Sequence, residues 1–467
     1  MTNIRTRFAP SPTGYMHIGN LRSALYGYLL AKSFGGKFIL RIEDTDQKRF
    51  VKDAEKVIYE TLKLAGINYD EGPDIGGSFG PYVQSKRKEI YKEYAGKLLK
   101  TGNAYYCFCE KKELGDSGCN NRCRNISDIK SKFLRNKEYV IRQKIHPEGK
   151  TNFNDLVFGN IEVENSELED QILVKSDGLP TYNFANVVDD HLMKITHVIR
   201  GCEYLSSTPK YILLYKAFGW NIPNYGHLPL IMDKNSDGTI TKLSKRKGAV
   251  SFAELINDGY LPEAIVNYVA LLGWCPGSTR EIFSLHDLEK EFSIDKIGKS
   301  SSIFDYDKLL WVNSQHIKSK SIEVFSKIIE KYVKYDVDLL KIAKILQPRV
   351  KKLSQIPDMI DFLKFPKFDK YLFVKNKIDP KNVSIILEKS LKILKNLKIW
   401  NNESIYNSLV YLAEDTKIKK KAVMWTLRIA VSGKEVTPGG ATEIMEIIGK
   451  LESIKRVDES LKNWMAN

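Results

Sequence analysis

Ile4-Arg5-Thr6-Arg7-Phe8-Ala9-Pro10-Ser11-Pro12-Thr13-Gly14-Tyr15-Met16-His17-Ile18-Gly19-Asn20 is the stretch on which the fold turns. Ile4 to Phe8 alternates as a strand does, and the Pro, Ser and Gly of Ala9 to Gly14 make a turn. Leu21, Ala24, Leu25, Tyr28 and Leu29 then recur at helical spacing until Gly35-Gly36 stops them. Phe38 to Ile42 follows as a near-continuous apolar strand. Strand, crossover helix and strand make the unit of a parallel sheet, so an open α/β fold is expected. Where its first strand turns into a helix, such a sheet offers backbone N–H groups and a positive helix end to phosphate. His17 and Asn20 fall three apart on the first turn, where both can donate to a phosphate chain, and Gly19 lets a base or ribose come close. A cap and a packed side chain are the bland alternative for that pair, and the residues alone leave both open.

Working outward, residues 84–180 break the alternation with a cysteine cluster and short strand-like runs, Tyr139 to Lys144 and Ile172 to Val174, and read as an insertion into the sheet domain. The α/β pattern resumes after Pro180 with a short strand at His197 to Arg200, a helix at Lys210 to Phe218 and a strand at Leu228 to Met232. The sheet domain is expected to close near residue 240. Helical periodicity dominates from about 252, as in Leu255, Ala264, Ile265, Tyr268 and Val269, and continues to the C-terminus. The loop Lys242-Leu243-Ser244-Lys245-Arg246 is either plain exposed surface or a gathering of cations on the charge of a departing pyrophosphate.

At 467 residues the chain has room for several domains, and 43% hydrophobic with 28% charged residues excludes extensive disorder. Lys and Arg number 73 against 57 Asp and Glu, a net charge of +16 that favours a polyanionic partner. The start has no apolar signal segment, and nothing approaches 18 uninterrupted apolar residues, so a soluble cytosolic protein without a membrane partner is expected. Six cysteines occur, four of them as Cys107-x-Cys109-x9-Cys119-x3-Cys123. Four thiolates so close suit a tetrahedral structural Zn²⁺ with Zn–S near ~2.3 Å, in preference to reduced thiols without metal or to disulfides.

Arg7 to Gly14, His17-Ile18-Gly19-Asn20, Arg41-Ile42-Glu43-Asp44-Thr45-Asp46 and the Lys242 to Arg246 loop together resemble the signatures of class I aminoacyl-tRNA synthetases, specifically the bacterial glutamyl-tRNA synthetases. The likeness continues through Asp177 to Tyr182, Asn186 to His191, Arg200 to Pro209 and Leu272-Gly273-Trp274 into the C-terminal helices. Asn20 stands where the class often has a second histidine, and Tyr204 where the family often has tryptophan. The resemblance implies a Rossmann-like α/β catalytic domain (1–83 and 181–240) with an inserted α+β acceptor-binding domain (84–180). All-α parts would follow: a stem-contact domain (241–318) and two anticodon-binding domains (319–372 and 373–467).

The resemblance also implies ATP-dependent ligation of L-glutamate to tRNA-Glu through a glutamyl-adenylate, with activation awaiting bound tRNA. Arg7 and Arg200 supply the fork-shaped guanidinium donors that a glutamate side chain calls for. Tyr182 joins them, Ser11 and Glu43 hold the α-amino group, and Asn186 meets the α-carboxylate. ATP falls to His17, Gly19, Asn20, Glu203, Tyr204 and Lys245, with Mg²⁺ riding on its phosphates, and His17, Asn20, Lys242 and Lys245 carry the chemistry. Arg349 matches an arginine that reads the last anticodon base and favours tRNA-Glu over tRNA-Gln. A non-discriminating enzyme that also charges tRNA-Gln, or a catalytically silent tRNA-binding paralogue, is the alternative, and a monomer is expected.

Overall fold

A computed structural model describes residues 4–46, 51, 53–109, 123–125, 138–234, 237–243 and 251–466. Contacts divide the chain into two compact units, Met1–Ile256 with Pro262–Leu309, and Asn257–Leu261 with Leu310–Asn467. In the first, β1 (Arg5–Phe8) is buried throughout and pairs in parallel with β2 (Lys37–Leu40), with Arg7 opposite Ile39. Helix α1 (Ile18–Ser33) crosses between them and buries Leu21, Ala24, Leu25, Tyr28 and Leu29, the residues whose spacing foretold it. Its exit needs glycine twice. Gly35 has φ +64°, and a Cβ on Gly36 would collide with the Ile4 carbonyl.

After α2 (Ala54–Leu64) and α3 (Lys88–Lys100), strands β3 (Ala104–Cys107), β4 (Val140–Gln143) and β7 (Ile172–Val174) form an antiparallel sheet. Between its last two strands the hairpin β5 (Lys150–Asp155) and β6 (Gly159–Glu164) goes elsewhere. It joins β8 (His197–Gly201) and β9 (Asn224–Leu228) in a four-stranded sheet of order β6-β5-β9-β8, with β5, β9 and β8 parallel. Helices α4 (Tyr182–Leu192) and α5 (Thr208–Phe218) precede β8 and β9. The β1–β2 pair meets this sheet where the Thr196 amide donates to the Arg5 carbonyl at 2.9 Å. The segment read as an insertion therefore also extends the parallel sheet.

One expectation needs correction. Leu228 to Met232 is not one strand: β9 ends at Leu228, and β10 (Ile231–Lys234) starts a second sheet with β11 (Ile240–Lys242) and β12 (Ser302–Ile303). Pro229, which has no N–H to donate, sits at the break. Helices α6 (Phe252–Asn257), α7 (Pro262–Ala270) and α8 (Leu285–Glu291) follow, with most of their residues inside the first unit. Tyr26 Oη donates to the Ala270 and Leu272 carbonyls at 3.0 Å each, and Arg22 Nη1 donates to Leu272 at 2.9 Å, so α1 binds that segment through polar side chains.

The second unit is helical among the described residues, from α9 (Tyr306–Lys318), which straddles the boundary, through α10 (Ile322–Ile329), α11 (Leu339–Leu346), α12 (Ile356–Met359) and α13 (Lys370–Val374). Helices α14 (Pro380–Asn396), α15 (Asn402–Asp415), α16 (Lys420–Ser432), α17 (Ala441–Ile448) and α18 (Lys450–Ala466) complete it. Ser321, Asp338, Asp379 and Asn401 cap their helices by accepting backbone N–H groups. Arg456 is the polar pin of the core: buried, it donates to the carbonyls of Phe362, Val431 and Leu363 at 2.6–2.8 Å. No helix among the described residues is long and apolar enough to cross a membrane.

Candidate active site

The carboxyl ends of β1 and β8 place Arg7 and Arg200 on the same cavity of about 310 Å³. Arg7 is buried because its strand is, and its Nε donates to Asp190 at 3.1 Å. Asp190, on α4, also accepts from Arg41 Nη1 at 2.7 Å. Burial alone would raise the Asp190 carboxyl, but Arg7 and Arg41 outweigh it and hold the pKa below the ordinary value. Arg41 Nη2 in turn donates to Glu43 Oε1 at 2.8 Å, while Asp189 takes Arg87 and Tyr91 at 2.7 and 2.8 Å. Glu43 keeps one oxygen, Oε2, buried with no hydrogen-bond partner among the described residues. Its burial outweighs Arg41 and Arg7 and raises its pKa, so an incoming cation would relieve a real cost.

Arg200 is held differently. Its Nε donates to His227 Nε2 at 3.2 Å and its Nη2 to Thr208 Oγ1 at 2.7 Å, and the guanidinium carbon lies 4.8–5.1 Å from the rings of Tyr204, Tyr211 and Tyr225. The remaining nitrogen, Nη1, is buried without a partner among the described residues. A donor left unpaired inside a protein is costly and marks the place where an acceptor belongs. Tyr182 and Tyr204 close this end of the cavity, their rings 5.2 Å apart.

At the other end lies the start of α1. His17 is its N-cap, and Nδ1 accepts from the Gly19 amide at 3.0 Å, so a neutral imidazole carries its proton on Nε2. The capping and phosphate readings of His17 are thus compatible, since it caps the helix and lines the cavity at once. Gly19 has a local reason too: a Cβ there would lie 3.3 Å from His17 Nδ1. Asn20 and Lys242 are exposed and line the same cavity, as do Ser11, Glu203 and Tyr204. The Leu243 amide donates to Ile231 at 3.1 Å, and Ser251 bridges to His17, so the described residues flanking the basic loop are anchored beside α1. Lys245 itself lies outside the described residues.

Comparison with known proteins bears on this geometry. Residues 3–311 match the family described as tRNA synthetases class I (E and Q), catalytic domain, and residues 322–461 match an anticodon binding domain. The glutamate–tRNA ligase of Clostridium tetani is 52% identical over 483 residues, covering 98% of each chain, and that of Clostridium acetobutylicum is 51% identical over 97% of each. A solved glutamate tRNA ligase of Elizabethkingia meningosepticum in complex with its amino acid superposes with TM-score 0.91 at 35% identity, covering 98% of this chain and 99% of that one. The chain belongs to the class I glutamate–tRNA ligases.

In this synthetase, Arg7, Ser11, Tyr182 and Arg200 of the expected glutamate group line the cavity. Glu43 and Asn186 do not line it; both are buried, and Asn186 Nδ2 donates to the Tyr182 carbonyl at 2.8 Å. Sequence reading did not single out Asp190, which accepts from both Arg7 and Arg41, or His227 and Asp155, which bond in series to Arg200. The available signal was acidic pairs amid apolar helix residues, such as Asp189-Asp190 after Val187-Val188.

Cys107, Cys109 and Cys123 bring three sulfurs within 4.8 Å of one another, Cys109 and Cys123 at 3.6 Å, which fits a tetrahedral Zn²⁺ with sulfurs about 3.8 Å apart. Arg124 clamps Asp170 through two bonds of 2.6 Å next to that cluster, and Cys119 lies outside the described residues. In the second unit, Arg349 is exposed in a turn after α11, beside Lys351 and Lys434 on an open groove. It is not on a helix, because Pro348 follows the last turn.

Proposed function

We propose that the synthetase joins L-glutamate to tRNA-Glu in two steps. The glutamate α-carboxylate attacks the α-phosphorus of ATP, the bond to the β-phosphate breaks, and pyrophosphate leaves. A terminal ribose hydroxyl of tRNA then takes the acyl group, and AMP departs. The single observation that carries this reading is the buried Arg200 Nη1, without a partner among the described residues, in a cavity that also receives Arg7 and the N-terminus of α1. Two guanidinium groups demand a carboxylate, and a helix N-terminus welcomes phosphate.

Arg7 and Arg200 take the side-chain carboxylate, with Tyr182 alongside. The unpartnered Glu43 Oε2 suits the α-ammonium, assisted by Ser11, and Asn186 turns its amide from the Tyr182 carbonyl toward the α-carboxylate. His17 Nε2–H and Asn20 donate to the phosphate chain and Lys242 and Lys245 neutralise it, with Gly19 admitting it closely and Glu203 and Tyr204 toward ribose and base. Mg²⁺ bound to the ATP phosphates supplies further charge neutralisation. Catalysis then consists of positioning and electrostatic stabilisation, with no side-chain nucleophile. Cys107, Cys109, Cys119 and Cys123 hold a structural zinc, and Arg349 reads the last anticodon base against tRNA-Gln. The domain division read from sequence, 84–180 on the acceptor end and the parts beyond 319 on the anticodon, goes with this reading.

Pyrophosphate exchange with glutamate and with glutamine, each with and without tRNA, tests it. Exchange with glutamate in the presence of tRNA is expected, and exchange supported by glutamine alone would overturn the substrate assignment. A silent tRNA-binding paralogue would show no exchange under any condition.

A further inference from the structure

Beneath Arg200 runs a buried polar chain that the two-step chemistry does not use. Asp155 ends β5, His227 lies on β9 and Arg200 on β8, three adjacent parallel strands in which Arg200 stands directly opposite His227. Both Asp155 and His227 are essentially inaccessible to solvent. His227 Nδ1 lies 2.6 Å from Asp155 Oδ2, and His227 Nε2 lies 3.2 Å from Arg200 Nε and 3.1 Å from Thr208 Oγ1.

The tautomer is forced. Arg200 Nε–H can only donate, so His227 Nε2 accepts, the single imidazole proton sits on Nδ1, and it donates to Asp155. Asp155 is itself fixed, because Oδ1 accepts the Val157 and Phe158 amides at 2.9 Å each. With Nε tied to His227 and Nη2 to Thr208, the guanidinium plane is set and Nη1 is the nitrogen without a partner among the described residues. Burial also disfavours a charged His227, which would set a second donor against Arg200 Nε–H.

We propose that Asp155 and His227 are a positioning pair that aims Arg200 into the pocket and thereby sets the preference for a side-chain carboxylate over an amide. The inference rests on Arg200 being a glutamate contact, as argued above. Its decisive variant is Asp155→Asn, which preserves the Oδ1 acceptor for Val157 and Phe158 but presents an N–H to His227 and drives the proton to Nε2. In pyrophosphate exchange with tRNA, the glutamate KM should rise about tenfold, as for one buried donor set against another. The ATP KM should stay unchanged, and the glutamate-over-glutamine ratio of kcat/KM should fall in proportion.

His227→Asn, which keeps the donor to Asp155 but loses the acceptor for Arg200, should behave like Asp155→Asn. His227→Gln, whose Oε1 reaches the Nε2 position, should restore the glutamate KM to within about threefold of the parent. Arg200→Gln separates the two layers. If it leaves the glutamate KM unchanged, the assignment of Arg200 fails. If it raises that KM while Asp155→Asn and His227→Asn stay within twofold, or raise the ATP and glutamate KM together, the positioning pair is refuted.

Discussion

The two ends of the cavity are built on opposite plans. At the Arg7 and Arg200 end the charged groups are buried and each is held by a fixed partner: Asp190 for Arg7, and His227 with Thr208 for Arg200. At the α1 end the donors are a helix N-terminus and its cap, with exposed Asn20 and Lys242. A buried ion costs several kcal/mol to desolvate, a cost that fits a place where geometry must choose between similar ligands. Phosphates arrive highly charged and need neutralising more than choosing, and exposed donors suffice for that. Under the proposed function, selection falls to the stiff end and charge stabilisation to the open one.

The comparison breaks most visibly at Arg200. Arg200→Gln removes the unpartnered donor and should lower kcat/KM for glutamate by about a hundredfold to several thousandfold, 3–5 kcal/mol, while the ATP KM changes little. An equal loss for both substrates would abolish the division between the two ends. His17→Asn keeps a good N-cap but shortens the reach to phosphate, so kcat should fall about a hundredfold with the melting temperature held. A loss of stability without a loss of kcat would make His17 a cap and nothing more.

Away from the cavity the expected effects are smaller. Arg349→Gln should relax the preference for tRNA-Glu over tRNA-Gln by about tenfold, read as the ratio of charging rates, since one guanidinium contact to a base contributes about 1–3 kcal/mol of discrimination. Metal analysis should find one equivalent of zinc, and Cys123→Ser should lose it together with several degrees of melting temperature; full stability in chelator would remove the metal from the account. The smallest effect is in pH. Burial holds His191, His197 and His227 below the ordinary 6.5, so the folded chain binds fewer protons than the unfolded one as pH falls past that value. Above pH 6.5 they are neutral in both states and contribute nothing, and below it they cost stability, at most about 1.4 kcal/mol for one fully suppressed histidine at pH 5.5; melts at pH 7.5 and 5.5 measure it.

What could be read in advance follows from what is local. The strand, turn and helix from Ile4 to Ser33 announce themselves because apolar period and turn chemistry act over a few residues, and the structure keeps their order. The split at Pro229 was equally local, yet the apolar run around it masked the missing N–H. Tyr26 and Arg22 look like ordinary members of α1, and nothing nearby shows that their polar ends bind carbonyls at Ala270 and Leu272.

The linear order of residues by itself determined the family, the strand, turn and helix at its start, and the thiolate cluster, because each depends on residue types within short motifs. Only the tertiary structure decided which nitrogen of Arg200 is left unpaired and what holds it there, because Asp155 and His227 lie 45 residues before and 27 after it and meet it only across neighbouring strands. Orientation of a buried charge is a long-range property: it arises from register between strands, and register has no signature in the run of residues around the charge itself.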